Sequence, residues 1–446
     1  MTFEEIRALL EQHEIKRIKL GAYDVDGTLR GKYISRDKFD SAAQSGLGFC
    51  DVIFGWDIAD VLYDNVQFTG WHTGYPDAHC RVALDTFRLI PWEPGTAFFL
   101  LDFVTRDGQA LSIAPRQVLQ RIVARAQELG YTPYFSAEYE FFFFRETPAS
   151  LREKNFRNLT PLTPGMFGYS ILRASANSEL VLKMFDQLPA FGCPLEGLHT
   201  ETGPGVYEAA IAVDEAVAAA DKAALFKTAV KEIASRQQLI PTFMAKWNPD
   251  LPGSSGHLHQ SLWDREKHKN LFHAPDGMSA LMQHYIGGLV ANMPEFAALI
   301  CPTINSYKRT VPGAWAPVNA TWGIDNRTTA IRAIPGGAKS TRIELRLAGA
   351  DINPYLAMAA SLAAGLDGIA RKLTPPEPTV NAYAGDTAPL PRTLAAATKL
   401  FRESATARLW LGDEFVDHYA ATREWEVRQF EKAVTDWELA RYFESV

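Results

Sequence analysis

The stretch that most constrains the fold is an aromatic-rich run at residues 134–144, YFSAEYEFFFF. Its residue types favour a β-strand, and Glu138 and Glu140 lie two positions apart within it. Successive side chains of a strand point to opposite faces, so both carboxylates should lie on one face. Two neighbouring acids on one face repel each other. The pair therefore predicts a bound cation.

Two later stretches, GHLHQSL and TRIELRL, repeat this alternation of polar and apolar positions. The polar positions are His257, His259 and Ser261 in the first stretch and Arg342, Glu344 and Arg346 in the second. A solvated sheet edge explains any one of these strands, but it is a poor explanation of all three. We expect their apolar sides to pack on a core while their polar faces line a cleft or the inside of a curved sheet. Oxygen ligands with one imidazole suit Mg²⁺ or Mn²⁺ better than a structural zinc.

Composition places the chain among ordinary globular proteins. It has 446 residues, enough for two domains, with 47% hydrophobic and 22% charged residues. The net charge of −7 argues against a nucleic-acid-binding surface. Cys50, Cys80, Cys193 and Cys301 have neither metal-site nor disulfide spacing, which predicts reduced thiols and a cytoplasmic protein.

No segment predicts secretion or a membrane partner. The first 20 residues lack the apolar region of a signal peptide. The most apolar later run, PYLAMAASLAAGLDGIA, is interrupted by Asp367 and is shorter than a membrane span. We expect it to form a buried helix.

The first hundred residues predict a small β-rich domain, residues 1–108. Thr2 and Glu5 form a capping-box pattern for a helix, and IKLGAYDVDGTLRGKYIS predicts a hairpin that turns at Asp26 and Gly27. The Asp24-Val-Asp26 segment also matches the nucleophile signature of haloacid-dehalogenase-type phosphatases. That class needs a later lysine followed by paired aspartates, which this chain lacks, so the hairpin is the preferred interpretation.

The remaining residues, 109–446, predict a larger domain. A helix from about residue 114 should end at Gly130, a surface loop should cover 147–166, and a long helix should cover 213–238. A Pro-rich loop is expected at 374–394, followed by amphipathic helices. Between Glu201 and Glu208 the tight turn Gly203-Pro204-Gly205 can bring two more carboxylates together.

The chain carries five segments in a fixed order: the acidic strand, the Glu-turn-Glu segment, the His-x-His strand, NSYKR with VPG, and RIELR. With this ordered set the chain resembles the glutamine synthetase family. The resemblance extends over nearly the whole length. It implies an α+β fold: an N-terminal β-grasp domain (1–108) and a catalytic domain (109–446) with a curved antiparallel sheet flanked by helices. It also implies rings of six subunits, often stacked in pairs, with each active site between neighbouring subunits.

The resemblance also implies a role for individual residues. One divalent ion would be held by Glu140, Glu201 and Glu208, and the other by Glu138, His257 and Glu344. ATP would contact His259, Ser261, Lys339 and Arg342. Glutamate would contact Gly253, Arg309 and Arg346, and the transferred phosphate would meet Arg327 and Arg332. The implied reaction phosphorylates the side-chain carboxylate of glutamate with ATP, and an amine then attacks the acyl phosphate to give a γ-glutamyl amide, ADP and phosphate.

The chain departs from the ammonia-using members of the family at two positions. Those enzymes carry a glutamate after the VPG motif, where this chain has Trp315, and an asparagine where it has Pro252. An aromatic ring can stack on an aromatic substrate or attract an alkylammonium group. The departures predict an organic amine as co-substrate, and slightly favour a bulky or aromatic one. An alkylammonium would need another base, for which Asp57 is a candidate. The alternative is that Trp315 only fills space.

Three other functions stay open at this point. The chain could be a γ-glutamyl polyamine synthetase, a true glutamine synthetase that uses ammonia, or a catalytically inactive ring protein. Loss of catalysis should first erode the six expected metal ligands, and all six are present. The sequence therefore predicts an enzyme that uses Mg²⁺ or Mn²⁺, ATP, glutamate and an amine, and that associates with itself.

Overall fold

The computed structural model describes residues 1–275, 277–381 and 389–446. Its N-terminal part is a mixed six-stranded sheet with strand order β2-β1-β6-β4-β3, in which β5 pairs with β6 and β1 runs parallel to β6. The elements are α1 (Phe3–Gln12), β1 (Arg17–Tyr23), β2 (Leu29–Ser35), α2 (Arg36–Ser45), β3 (Leu47–Cys50), β4 (Asp77–Val82), β5 (Arg88–Leu89) and β6 (Thr96–Val104).

Local sequence signals explain the start of this sheet. Thr2 and Glu5 form the predicted capping box of α1, and β1 and β2 form the predicted antiparallel hairpin. The Asp24 carboxylate accepts hydrogen bonds from the backbone N–H groups of Asp26 and Thr28 and from Arg30. Asp24 therefore organises the hairpin turn, which supports the hairpin interpretation of this segment.

The rest of the chain forms a larger unit of strands and helices. Its first half contains α3 (Pro115–Glu128), β7 (Tyr131–Phe144), α4 (Pro148–Glu153), α5 (Ile171–Ala176), α6 (Ser178–Ala190), β8 (Leu195–Thr200), β9 (Val206–Ile211), β10 (Asp214–Glu215), α7 (Ala216–Ser235) and β11 (Ile240–Thr242). Its second half contains β12 (Gly256–Asp264), β13 (His273–Ala274), β14 (Gly277–Met278), α8 (Ala280–Ile300), β15 (Trp322–Ile324), β16 (Ile331–Ile334), β17 (Arg342–Leu345), α9 (Pro354–Arg371), α10 (Leu394–Glu403), α11 (Ala405–Leu411), α12 (Asp413–Lys432) and α13 (Asp436–Tyr442).

A curved nine-stranded sheet carries the polar strands. Its order is β15-β16-β17-β12-β7-β9-β8, with β10 and β11 also paired to β7. Neighbouring strands are antiparallel except β15 and β16, which are parallel. Strand β7 alternates between buried and partly exposed residues up to Glu140, and α3 and α7 pack against it. The α+β fold with a curved, mainly antiparallel sheet is therefore confirmed.

Helix α9 is buried along almost its whole length, as the apolar run predicted. It packs against α8, α3 and α7. Among the residues that the structure describes, we find no helix with the length and apolar character needed to cross a membrane.

Two segments predicted as loops, 147–166 and 374–394, are not described by the structure as loops throughout. Residues 147–166 were expected to be a loop, but they contain α4 (Pro148–Glu153), whose N-cap Thr147 forms a capping box with Ser150. Thr147 and Pro148 suggest a loop by composition, yet threonine suits an N-cap and proline suits the first helical turn. The predicted loop at 374–394 lies partly outside the described residues, because 382–388 are not among them.

The two sheets share one hydrophobic core. The Asn353 side chain, at the start of α9, donates to the carbonyl oxygens of Asp24 and Val25 in the first hairpin. Buried Arg116 bonds Asp102 at the end of β6 and Asp221 on α7. The predicted boundary at residue 108 falls between β6 and α3, and the division into two domains there stays a prediction.

Candidate active site

Cross-strand registration on the large sheet brings the predicted residues together. Glu208 on β9 lies opposite Glu140 on β7 and opposite His199 on β8. The three side chains form one row across three strands. Glu201 follows directly after β8, two positions beyond His199, and shares its face. The predicted approach of Glu201 to Glu208 across the tight turn is observed.

A second set of polar side chains lies on the adjoining strands. Glu138 on β7 lies opposite His257 on β12, while His259 lies opposite Glu344 on β17. The Nδ1 atom of His257 is 3.2 Å from Glu344 and 3.7 Å from Glu138. The Nε2 atom of His259 is 3.2 Å from Glu138. The three polar strands thus face one cleft.

Two groups of side chains have ligand atoms that lie within 4.8 Å of one another, the spacing of a metal site. The groups are His199 with Glu201 and Glu208, and Glu138 with His259 and Glu344. Each contains two of the three ligands that the resemblance implied. Glu140 and His257, the remaining members of the expected sets, lie directly opposite Glu208 and Glu138. The assignment of these six residues as metal ligands stays a prediction.

Neighbouring histidines and an arginine favour the ionised form of the carboxylates in the second group. Glu344 is 1% exposed. Burial alone would raise the pKa of Glu344, but His257, Arg346 and His259 outweigh it and hold the value at about 2. Burial would likewise raise the pKa of Glu138, but its hydrogen bonds with His257 and His259 lower it well below the usual range. Both carboxylates are ionised at neutral pH.

In the first group the hydrogen bond with His199 lowers the pKa of Glu201, but no such partner among the described residues offsets the repulsion at Glu208. Burial, followed by the charges of Glu140, Glu138, Glu201 and Glu344, raises the pKa of Glu208 to about 9. A cation between these carboxylates would remove the repulsion.

The histidines of the second group also fit a cation. The Nε2 atom of His257 is buried without a hydrogen-bond partner among the described residues, whereas that of His259 lies 3.2 Å from Glu138. Burial and Arg346 lower the pKa of His257, so that its ring is neutral, the form that binds metals. The residues present therefore fit divalent cations in both groups.

Arginines extend the site beyond the carboxylates. Arg332 donates to Glu344 at 2.9 Å and also to Asp325. Arg346 pairs with Glu344 and donates to the backbone of Arg327. Arg327, the other predicted phosphate contact, has an exposed side chain.

The predicted glutamate-binding residues lie together. The guanidinium of buried Arg309 donates to the carbonyl oxygens of Leu347 and Arg346. A Cβ atom added to Gly253 would lie 2.9 Å from Cγ of Arg309 and 2.5 Å from the carbonyl oxygen of Ala245, so only glycine fits beside this arginine. Their role in binding glutamate stays a prediction.

The predicted ATP contacts lie along β12 and β17. Arg342 donates from Nε to Nδ1 of His259 at 3.1 Å. Ser261 lies two positions further along β12 and accepts from Trp263. Lys339 is exposed in the segment that leads into β17. These residues extend from the second cation group along one side of the cleft.

The predicted amine-pocket residues lie on loops. Trp315 is 66% exposed and adopts a left-handed backbone conformation with φ of 55°. This conformation is unfavourable for a tryptophan, and such residues are found preferentially at functional sites. Pro252 is half-buried just before Gly253. The carboxylate of Asp57 accepts from the backbone of Ala59 and Val61 and from Trp425 on α12. Asp57 belongs to neither cation group.

Sequence reasoning missed His199. Its Nε2 atom is 3.2 Å from Glu201, and its ring stacks on Tyr169. The spacing His-x-Glu in LHTE is the same two-residue alternation that marked Glu138 and Glu140. That signal was available in the sequence.

Comparison with known proteins agrees with this geometry. The family model described as glutamine synthetase, catalytic domain, matches residues 112–442. The chain belongs to the glutamine synthetase family.

Individual members of the glutamine synthetase family match almost the whole chain. Type-1 glutamine synthetase 2 of Dictyostelium discoideum is 49% identical over 98% of this chain and 86% of its own length. Glutamate–isopropylamine ligase of a Pseudomonas species is 40% identical over 99% of this chain and 98% of its own. A solved structure of GmaS without ligand superposes with a TM-score of 0.85 and 25% identity, covering 98% of this chain and 99% of that one.

Proposed function

We propose that this member of the glutamine synthetase family is an ATP-dependent ligase that joins the γ-carboxylate of glutamate to an organic amine. The observation that carries the proposal is that two cation groups lie on the large sheet, with Arg332 and Arg346 paired to Glu344 of one group and Arg309 donating to the backbone of Arg346. The similarity to glutamate–isopropylamine ligase supports it. Two divalent cations, Mg²⁺ or Mn²⁺, would supply electrostatic stabilisation of phosphoryl transfer.

The chain's own residues position the reactants. Arg309 and Arg346, beside Gly253, would hold glutamate, because a guanidinium binds both oxygens of a carboxylate. Arg332 and Arg327 would meet the transferred phosphoryl group and offset the charge that develops on it. Glu344 keeps Arg332 and Arg346 in place. His259, Ser261, Lys339 and Arg342 would hold ATP.

The proposed reaction has two steps. An oxygen of the γ-carboxylate attacks the γ-phosphorus of ATP and the bond to the β-phosphate oxygen breaks, which gives γ-glutamyl phosphate and ADP. The nitrogen of the amine then attacks the acyl carbon, and the carbon–oxygen bond to phosphate breaks. The amine loses one proton to a base, for which Asp57 is our candidate. The products are the γ-glutamyl amide, ADP and phosphate.

The identity of the amine co-substrate distinguishes the proposed ligase from ammonia-using members of the family. Trp315 places an exposed apolar ring where ammonia-using relatives are expected to carry a carboxylate. A ring attracts an alkylammonium or stacks on an aromatic amine, and it gives nothing specific to ammonium. We therefore assign an organic amine, with a slight preference for a bulky or aromatic one. A polyamine is an alternative of the same class.

A second candidate is glutamine synthesis from ammonia. It is favoured by the 49% identity to Type-1 glutamine synthetase 2. Steady-state kinetics with ammonium, isopropylamine, putrescine and an aromatic amine separate the candidates. We expect kcat/KM for one of the organic amines to exceed that for ammonium at least about tenfold, which corresponds to about 1.4 kcal/mol. Ammonium as the best substrate would instead assign the second candidate.

The proposed function also includes an oligomeric state and a cellular location. We infer a ring of six subunits, or two stacked rings, in which the N-terminal domain (1–108) of one subunit completes the catalytic domain (109–446) of its neighbour. We also infer a cytoplasmic location, supported by the free state of Cys50, Cys80, Cys193 and Cys301. Light scattering of the purified protein measures the mass and tests the ring.

A further inference from the structure

We propose that His199 is a nitrogen ligand of the cation held by Glu201 and Glu208, and that it makes this site favour Mn²⁺ over Mg²⁺. The inference rests on the proposed function, which places a divalent cation at these carboxylates. His199 lies opposite Glu208 in the strand pairing and shares the face of Glu201. It is therefore part of the same row of side chains as Glu208 and Glu140.

The distances fit the coordination sphere of one ion. Nε2 of His199 is 3.2 Å from Oε1 of Glu201 and 4.0 Å from Oε2 of Glu208. Ligand atoms about 2.1 Å from one ion lie at most about 4.2 Å apart. Both distances are within that limit, so Nε2 of His199 would reach an ion held by Glu201 and Glu208.

A neighbouring loop fixes the orientation of the imidazole. The Tyr169 ring lies parallel to the His199 ring, with centroids 4.3 Å apart and an angle of 9° between the planes. Thr200, the residue after His199, holds this loop through three hydrogen bonds: its carbonyl accepts from Tyr169 N, its hydroxyl accepts from Ser170 N, and the same hydroxyl donates to Phe167 O. The strand that carries His199 thus also anchors the ring that stacks on it.

An imidazole ligand changes which ion the site favours. Carboxylates and water suit Mg²⁺, which binds nitrogen poorly and keeps several waters. Mn²⁺ shares the preference for carboxylates, but as a transition-metal ion it is softer than Mg²⁺, so a nitrogen ligand adds more to the binding of Mn²⁺ than to that of Mg²⁺. The other side chains of this row, Glu140, Glu201 and Glu208, offer only carboxylate oxygens, and Glu140 accepts a hydrogen bond from the backbone N–H of Ser255 at 2.6 Å. His199 supplies the one nitrogen in the row.

Metal binding by the full-length, metal-free protein tests the inference without measuring catalysis. Free Mn²⁺ is followed by electron paramagnetic resonance as MnCl₂ is added, and bound Mn²⁺ is then displaced with MgCl₂. We expect His199→Gln to weaken one class of Mn²⁺ sites at least about tenfold while Mg²⁺ affinity changes much less. His13→Gln, at an exposed position after α1, is the matched control and should bind Mn²⁺ like the wild type.

Tyr169 provides a second variant that leaves the ligand in place. Tyr169→Ala should weaken Mn²⁺ binding because the imidazole loses its support, whereas Tyr169→Phe keeps the ring and should not. This pair decides the question if His199→Gln fails to fold. Unchanged Mn²⁺ affinity in His199→Gln, or equal weakening of Mn²⁺ and Mg²⁺, would overturn this inference and leave the proposed function standing. A wild-type protein that binds neither ion would overturn both.

Discussion

Glu344 is the residue on which the candidate site converges, because its carboxylate pairs with Arg332, Arg346 and His257. Replacing one partner of a buried charged network leaves the others uncompensated, at a cost of about 3–5 kcal/mol. We therefore expect Glu344→Gln to lower the free energy of unfolding by about 3 kcal/mol and to abolish ligase activity. Urea unfolding of the metal-free protein measures the first effect.

The matched control for this variant is Glu179→Gln on α6, where the carboxylate forms an exposed pair with Lys183 one helical turn away. Exposed pairs of this kind contribute less than about 1 kcal/mol. If Glu344→Gln were as stable as Glu179→Gln, the carboxylate would not be holding the two arginines in place.

Glu208 predicts how stability depends on pH in the absence of metal. Its folded-state pKa is about 9, whereas an unfolded glutamate titrates near 4.3. Between these values the folded protein retains a proton that the unfolded chain has lost. The contribution of Glu208 to stability is therefore fully present below about pH 4 and is lost as pH rises through about 9. Glu208→Gln has no such loss.

We expect the melting temperature of Glu208→Gln in EDTA at pH 8 to 9 to exceed that of the wild type, by about 1 °C for each kcal/mol of repulsion relieved in a chain of 446 residues. The difference should shrink towards pH 5. Thermal unfolding across this range measures it. In the presence of Mn²⁺ the wild type should have the higher melting temperature, because the variant has lost a ligand for the stabilising ion. Glu128→Gln, at the exposed end of α3, controls for the loss of one negative charge. A pH-independent difference in EDTA would contradict the argument.

The residues of the site were predictable where alternation on a strand marks a face. Glu138 with Glu140, and His257 with His259, are visible in the sequence, and the structure places them on one face as predicted. His199 carries the same signal, but a single histidine beside an acidic turn is common and does not by itself indicate a metal ligand. Its stacking on Tyr169 depends on a loop 30 residues away, which periodicity does not reveal.

At the scale of elements, local signals and long-range pairing differ in how well they can be predicted. The β1–β2 hairpin, α1, α3 and α9 follow from caps, turns and periodicity, all of which act over a few residues. The strand order of the large sheet does not follow from such local signals, because β7 pairs with β9 and with β12, which lie far along the chain. Alternation shows which face of a strand is buried but not which strand lies beside it.

The first hairpin makes a testable contact with α9. Gly27 has φ of 75°, and a Cβ atom there would lie 3.2 Å from Cα of Asn353, the residue that caps α9. Gly130 also has positive φ, but a Cβ atom there would have no neighbour within 4 Å. Alanine at either position incurs the backbone cost of about 1 kcal/mol. We expect Gly27→Ala to be more destabilising than Gly130→Ala, measured by urea unfolding, because it also disturbs the hairpin–helix contact. Equal losses would show that the contact is unimportant.

In the whole molecule, Asp57 lies apart from the site that it is proposed to serve. Its carboxylate bonds its own loop and Trp425, and it belongs to neither cation group of its own chain. A base for the amine must lie within hydrogen-bond reach of the reacting nitrogen. If Asp57 is that base, it must act on the site of another subunit, as the proposed ring requires. Subunit mixing separates this arrangement from a site completed within one chain.

We expect Asp57→Asn and Glu208→Gln each to reduce ligase activity strongly, and a co-expressed mixture to recover it. In a closed ring of randomly mixed subunits, about one site in four pairs an intact Asp57 with an intact Glu208, so the mixture should reach about a quarter of wild-type activity. Each variant co-expressed with itself is the control. If each site instead forms within one chain, every chain in the mixture carries one of the two substitutions. Mixing would then recover no activity. Light scattering must show the same mass for all samples, because dissociated rings would also lose activity.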